Sequence, residues 1–324
     1  MKNNTFKIAV IFIVLIVAAL FFNLNKRDEN ETIKIGVILP LTGIAADYGK
    51  DAQSGIQSVA FDNIEFIYED DACDTKTAVS AFNKLVTYDK VHVIIGPGCG
   101  SPQEAVVPLL EDSDVVIFTP AAASRDLYTR SSGNFFNIQY SLEDEAKFLA
   151  EKIFESGLRS VALITYKNAF SETHARAFKE NYKGIVAEEI SFVTDDADVS
   201  TELIKIKDKK IDAIVAPDIS FFFARGLSEL EKFSISAPVY SSYVAELPAV
   251  RPFMKGVYYS FPGDINKDKG ATYTLSQQAA MIAGSAVAVC GNDTQCIKTE
   301  LYKSGDFDAN GVFRRPMVLK QIVD

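Results

Sequence analysis

The sequence predicts an α/β protein made of two doubly wound parallel-sheet lobes. Three observations carry this. Short β-branched runs alternate with longer amphipathic runs, which is the pattern of βαβ units and a parallel sheet. The alternation occurs twice, in two successive series of similar size. The tail after them holds too little strand for a third sheet and is expected to return to the first lobe.

The first series runs through strand Ile33–Pro40, helix Tyr48–Phe61, strand Ile64–Tyr68, helix Lys76–Tyr88, strand Val91–Ile95, helix Pro102–Leu110 and strand Val115–Thr119. Phe136–Tyr140 reads as extended. Ser141-Leu142-Glu143-Asp144 then opens a helix reaching about Ser156. The second series continues with strand Ser160–Thr165, helix Ser171–Tyr182, strand Val186–Phe192, helix Ser200–Lys207, strand Ile211–Ala216, helix Phe221–Phe233 and strand Val239–Ser242. In the tail, Gly256–Phe261 is extended, Leu275–Val289 is helical and Val312–Val323 is mixed. The Ala-rich run Tyr273–Cys290 should pack closely on a neighbour.

A chain of 324 residues is long for one domain and suits two. Apolar residues make up 48% and charged ones 23%, enough for a full core. The net charge of −10 argues against nucleic acid as a partner. At the N-terminus, Lys2 and Lys7 precede the apolar run Ile8–Phe22, then Lys26 and Arg27 follow. About 15 apolar residues suit a signal segment better than a full span of about 20. Residues 1–25 are therefore expected to be a signal peptide or an uncleaved signal anchor, placing the rest outside the cytoplasm, in the periplasm or on the outer face of the membrane. The four cysteines fit that compartment, where disulfides persist. Cys290 and Cys296 enclose a short loop and are expected to pair, which leaves Cys73 and Cys99 to each other. Metal binding is the alternative, without a CxxC motif to support it.

Open α/β sheets bind ligands beyond the carboxyl ends of their strands. Three such ends in the first series carry suitable chemistry: Pro40-Leu41-Thr42-Gly43 with the loop to Tyr48, Gly96-Pro97-Gly98-Cys99-Gly100-Ser101, and Thr119-Pro120-Ala121-Ala122-Ala123-Ser124. Glycines let a ligand approach the backbone. Ser101-Pro102-Gln103-Glu104 reads as a helix start, with Ser101 as N-cap and Glu104 closing a capping box. That start would attract an anionic group, and the small side chains of Ala121, Ala122 and Ala123 expose backbone. Tyr48 is placed to lie over an apolar ligand part.

These features, in this order, resemble the periplasmic leucine/isoleucine/valine-binding protein family, the branched-chain amino-acid-type solute-binding proteins of ABC transporters. The resemblance rests on Ile35-Gly36-Val37-Ile38-Leu39-Pro40-Leu41-Thr42-Gly43, Glu69-Asp70-Asp71-Ala72-Cys73-Asp74, Asn83-Lys84-Leu85-Val86, Ile95–Ser101 and Thr119–Ala123. It is strong over about 33–130 and thin beyond. It implies the type I periplasmic-binding-protein fold: two lobes joined by three crossing segments, here near Phe136–Tyr140, Gly256–Phe261 and Met317, with a ligand trapped between them. The implied lobes are 33–138 plus 262–312 and 139–258 plus 313–324. It also implies a Cys73–Cys99 disulfide, and a ligand carboxylate held at Gly100, Ser101, Ala121 and Ala123, where backbone donors remain and Ser101 or Ser124 stands to substitute for two missing hydroxyls. Tyr48 would pack on the ligand. In the second lobe, Phe170 stands where an aromatic is implied, with Asp218, Tyr243 and Glu246 near the positions of the other contacts.

No enzyme is expected. His92 reads as a core or edge residue of a strand, His174 as part of a solvated helix face, and no Gly-x-Ser-x-Gly elbow occurs. The pairs Asp70-Asp71 and Asp195-Asp196 read as solvated loop acids. The expected function is capture of a small amino-acid-like or carboxylate solute and delivery to an ABC permease, without cofactor or metal; a membrane-tethered sensor for a signalling partner is the alternative.

Overall fold

The computed structural model describes residues 32–323 except 194–198, 219–229 and 266–268. Its first sheet has five parallel strands in the order β2-β1-β3-β4-β5. These are β1 (Ile33–Leu39), β2 (Ile64–Asp70), β3 (Val93–Ile95), β4 (Val116–Thr119) and β5 (Phe135–Asn137). Helices α1 (Ala46–Gln57), α2 (Thr75–Thr87), α3 (Gly100–Val106) and α4 (Asp126–Arg130) follow successive strands. The inner strands β1, β3 and β4 read as near-continuous apolar runs because both of their faces are covered. Ile35, Val37, Ile38 and Leu39 of β1 are all wholly buried.

The second sheet has six strands in the order β11-β10-β9-β8-β6-β7. They are β6 (Ser160–Tyr166), β7 (Ile185–Phe192), β8 (Ala213–Val215), β9 (Val239–Ser241), β10 (Tyr258–Pro262) and β11 (Met317–Gln321). All pairs are parallel except β10 with β11. Its helices are α5 (Leu142–Glu155), α6 (Ala169–Asn181) and α7 (Val199–Lys207). Ser141 caps α5, its hydroxyl accepting from the Asp144 amide at 3.1 Å. The helix expected over Phe221–Phe233 lies mostly outside the described residues; Leu230–Phe233 is a 3₁₀ turn. The N-terminal apolar run and Asp195-Asp196 also lie outside them.

The tail does return. Helix α8 (Ala271–Cys290) lays Ala279, Ala280 and Ala283 into the core of the first sheet, beside Ile35, Val37 and Ile56. Its small side chains allow close approach, as the composition predicts. A further helix, α9 (Thr294–Ser304), was not expected. Its signals were nonetheless present: Asp293 caps it, accepting from the Cys296 amide at 2.9 Å, and Gly305 ends it in the left-handed region.

Three segments pass between the sheets side by side. The Asn137 amide donates to Gly311 O at 2.8 Å, and the Phe313 amide to Asn137 O at 2.8 Å. The Gly263 amide donates to Pro316 O at 2.8 Å. Arg125 closes this junction. Its guanidinium donates to Asp308 at 2.7 Å and pairs with Asp144. The disulfides are Cys73–Cys99 and Cys290–Cys296, with Cα separations of 5.6 and 5.5 Å, inside the range such bonds require.

Candidate functional site

The loops after the strands of both sheets face each other and enclose a cleft of about 410 Å³. The first lobe contributes Ile44, Asp47 and Tyr48 after β1, Cys73 after β2, and Gly98–Ser101 after β3. The second contributes Tyr166, Asn168 and Phe170 after β6, Asp218 after β8, and Tyr243, Val244 and Leu247 after β9. The lobes touch here. A Cβ on Gly100 would stand 3.2 Å from the Phe170 amide nitrogen, so the glycine turn abuts the start of α6.

The turn after β3 is held by a buried lock. The Gln103 amide donates to Pro97 O at 3.0 Å and to Thr119 Oγ1 at 2.9 Å, while the Thr119 hydroxyl donates to Pro97 O at 3.0 Å. This ties the β3 and β4 turns into one unit. Gly98 brings the backbone under Tyr48; any Cβ there would come within 2.5 Å of the ring. Tyr48 and Tyr243 are both buried and close enough that each phenol is affected by its surroundings: burial first, then neighbouring charge, raises both, Tyr243 to above the usual phenol range.

The helix start differs from expectation. Cys99, not Ser101, is the N-cap of α3, and Ser101 is the second helical residue. Glu104 reaches Arg130 at 2.5 Å and closes no capping box. The helix begins earlier because Gly100 tolerates the close packing on Phe170 and enters the first turn. Tyr48, Gly100, Ser101, Phe170, Asp218 and Tyr243 therefore line the cleft as a group. Ala121, Ala122, Ala123 and Ser124 are not among the residues that line it, although Ala122 touches Tyr243, which does. The three alanines are buried, and Ala122 joins the second lobe's core beside Tyr140, Leu142 and Tyr243. The Tyr243 hydroxyl reaches the Ala122 amide. The Leu142 amide donates to Ala123 O at 3.0 Å, in a bridge across the lobe junction. Ser124 is held between Asp126 at 2.6 Å and Glu143 at 2.7 Å, so its hydroxyl serves the hinge.

In the second lobe, Asn168 caps α6, its side chain accepting from the Ser171 amide at 2.8 Å. Its own amide group donates to Asp218 Oδ2 at 2.7 Å, joined by the Ser171 hydroxyl at 2.9 Å. Two donors thus fix Asp218 at the cleft wall. Sequence reasoning missed Asn168 and Gln103. Asn168 was legible as a helix cap between Tyr166 and Phe170; Gln103 had no signal outside the fold.

His174 is a correction. It is wholly buried, not on a solvated face. The positions Ser171, His174, Ala175 and Phe178 form the inner stripe of α6, and the polar look of Ser-Glu-Thr-His concealed that spacing. Burial drives the imidazole down to about 3. Glu145 Oε2 lies 3.9 Å from it. The Glu145 carboxyl is also buried, which pushes it up to about 7 against hydrogen bonds from Ser260, Tyr140 and the Tyr243 amide. Asp71 is buried too and is pushed up to about 6; one oxygen accepts from the Cys73 amide at 2.9 Å. His92 sits just before β3 with Nδ1 2.9 Å from Asp114 O. Among the described residues no His, Cys, Asp and Glu cluster could hold a metal.

Two sheets with crossings between them, and a cleft at their facing strand ends, can be compared with known proteins. The family profile described as "Periplasmic binding protein" matches residues 32–287. The chain belongs to that family. This periplasmic-binding-protein family consists of solute-binding proteins, and membership implies an extracytoplasmic location. Curated relatives include the Leu/Ile/Val-binding protein of Citrobacter freundii, 26% identical over 217 residues, covering 62% of this chain and 58% of the relative. That of Escherichia coli K12 is 27% identical over 215 residues, covering 61% and 57%. The chain thus spans less than two thirds of the length of these relatives. Among solved structures, the branched-chain amino acid binding protein LivJ of Streptococcus pneumoniae, in complex with isoleucine, superimposes with a TM-score of 0.78 at 22% identity, over 90% of this chain and 96% of that one. A Rhodopseudomonas palustris solute-binding protein in complex with benzoate gives 0.77 at 18% identity, over 90% and 93%. These likenesses establish the two-lobed fold.

Proposed function

We propose that this periplasmic-binding-protein member captures a small amino-acid-like or carboxylate solute between its lobes and delivers it to an ABC permease, without catalysing a reaction. The observation that carries the reading is the cleft itself: about 410 Å³, walled from both lobes by strand-end loops, which is within the size range of small-molecule sites. The similarity to Leu/Ile/Val-binding proteins and to benzoate- and isoleucine-bound neighbours supports the solute class. We take the lobes to be 33–138 plus 262–312 and 139–258 plus 313–324, and residues 1–25 to be a signal peptide or membrane anchor. Tyr48, Gly100, Ser101, Phe170, Asp218 and Tyr243 would face the ligand.

The mechanism is lobe closure. A solute docks between the lobes, bridges them and shifts the equilibrium toward the closed form, which the permease recognises. The shift equals the ligand's differential affinity for the two states. A thermal-shift screen of the chain over amino acids, small amides, amines and carboxylates tests this. Stabilisation by a defined solute class is expected, since a ligand bound only to the folded state stabilises it. A well-folded sample that no small solute stabilises would contradict the reading.

A further inference from the structure

The chemistry of the cleft wall is uneven, and the unevenness bears on the ligand's charge. Four aromatic rings, Tyr48, Tyr166, Phe170 and Tyr243, line it. Each is braced. Tyr48 rests on the Gly98 backbone. Tyr166 packs on Phe192 with ring centroids 5.6 Å apart. Phe170 stacks on His174 at 6.5 Å and 19°. Tyr243 is buried against Ala122 in the second core. The charged side chains in the wall are acids, Asp47 and Asp218; among the described residues no Lys, Arg or His lines the cleft. Behind Tyr48, Asp71 is wholly buried with one carboxyl oxygen lacking a partner.

A ring's face carries negative electrostatic potential, and rings that enclose a space without water attract a cation there. Nearby acids add to that attraction and oppose an anion. The β4 turn offers no counterweight. Ala122 packs in the second core with its amide occupied by the Tyr243 hydroxyl, the Ala121 amide donates to Thr119 Oγ1 at 3.3 Å, and Ala123 is buried in the first lobe's core.

We infer that the cleft selects an organic cation, an ammonium head with an apolar body enclosed by Tyr48, Tyr166, Phe170 and Tyr243 beside Asp218, and that the ligand needs no carboxylate. Val244, Leu247 and the exposed Ile44 also line the cleft and supply further apolar surface for that body. This rests on the solute-binding reading and narrows it: of amino-acid-like and carboxylate solutes, the ammonium-bearing ones are held and plain carboxylates are not.

The test uses three compounds sharing one branched apolar body, titrated calorimetrically into the full chain: leucine, 3-methylbutylamine (leucine without its carboxylate) and 4-methylpentanoate (leucine without its ammonium). The amine is expected to bind within about tenfold of leucine and the acid at least about a hundredfold more weakly. Equal binding of amine and acid, or binding of leucine with no binding of the amine, overturns the inference. If none of the three binds, the charge of the hits in the wider solute screen decides. A cationic hit supports the inference and a neutral or anionic one overturns it. The absence of any hit contradicts the solute-binding reading itself, which is a separate outcome. Tyr243→Leu removes a ring and should weaken the bound cation about tenfold or more, while Tyr243→Phe, which keeps the ring, should weaken it less. Phe170→Leu, on the less buried side of the wall, serves if Tyr243→Leu does not fold. Leucine variants that fold and bind the cation as tightly as the unaltered chain overturn the proposal.

Discussion

The buried pair Glu145 and His174 makes a prediction about how stability depends on pH. Both side chains have no solvent exposure, and Oε2 of one stands 3.9 Å from Nε2 of the other. Burial shifts them in opposite directions. Glu145 rises from 4.5 to about 7. Its native state therefore binds more protons than the unfolded chain between those values, and its contribution falls as pH rises through that window. At 1.36 kcal/mol per pH unit, the full loss is roughly 3 kcal/mol above pH 7. His174 falls from 6.5 to about 3. Its native state binds fewer protons than the unfolded chain between those values, so its contribution rises with pH, by roughly 5 kcal/mol in all. The two slopes cancel between about pH 4.5 and 6.5. The pair should give a stability curve that climbs below that window, runs level across it and declines just above it. Glu145→Gln removes the declining arm. Relative to the unaltered chain, its stability should rise steadily from about pH 4.5 to 7, by roughly 3 kcal/mol over the interval. Urea denaturation at a series of pH values from about 4 to 8 measures this, with midpoints compared at constant slope. Parallel curves for the two proteins across the interval would refute the assignment of a protonated, buried Glu145.

Other perturbations separate scaffold from site. Cys73 and Cys99 are 26 positions apart in sequence, and Cys290 and Cys296 are 6 apart. Loop-closure entropy then makes removal by paired Ser substitution cost about 3.5 and about 2.2 kcal/mol, read by denaturation. Only the first should also weaken ligand binding, because Cys73 and Cys99 line the cleft. Gly98→Ala forces Tyr48 from its seat and should lower ligand affinity about tenfold or more, by titration, with the sheet core intact. Gln103→Leu leaves Thr119 and Pro97 with a lost donor in a buried lock and should destabilise by about 1–3 kcal/mol, by thermal or urea unfolding.

The fold was largely legible because its inner strands bury both faces and read as apolar runs, while turn and cap residues punctuate them. Ser141 announced α5 by a side chain that caps the helix it opens. Less legible were features decided by packing across the chain. Nothing local marks His174 as buried; only the inner stripe of α6 does. Gln103 acts on Thr119, sixteen positions on, through a lock that exists only once β3 and β4 are neighbours. The same limit divides the site. The glycine turn and Tyr48 could be placed from strand ends, because ligands gather there. The alanines after β4 occupy an equivalent position in sequence, yet Tyr243 from the other lobe takes the Ala122 amide and makes Ala122 part of the second core, while Ala123 is buried in the first. The second-lobe wall depended on α6 starting at Ala169, two residues before the predicted Ser171, which places Asn168 at the cap and beside Asp218.

Native mass spectrometry of the full chain, released gently from cells and sprayed without denaturant, tests the central claim most directly. A discrete small-molecule adduct is expected, lost on unfolding and depleted by Tyr243→Leu. A bare chain in repeated preparations, matched by a thermal-shift screen without any stabilising solute, would contradict capture of a solute between the lobes.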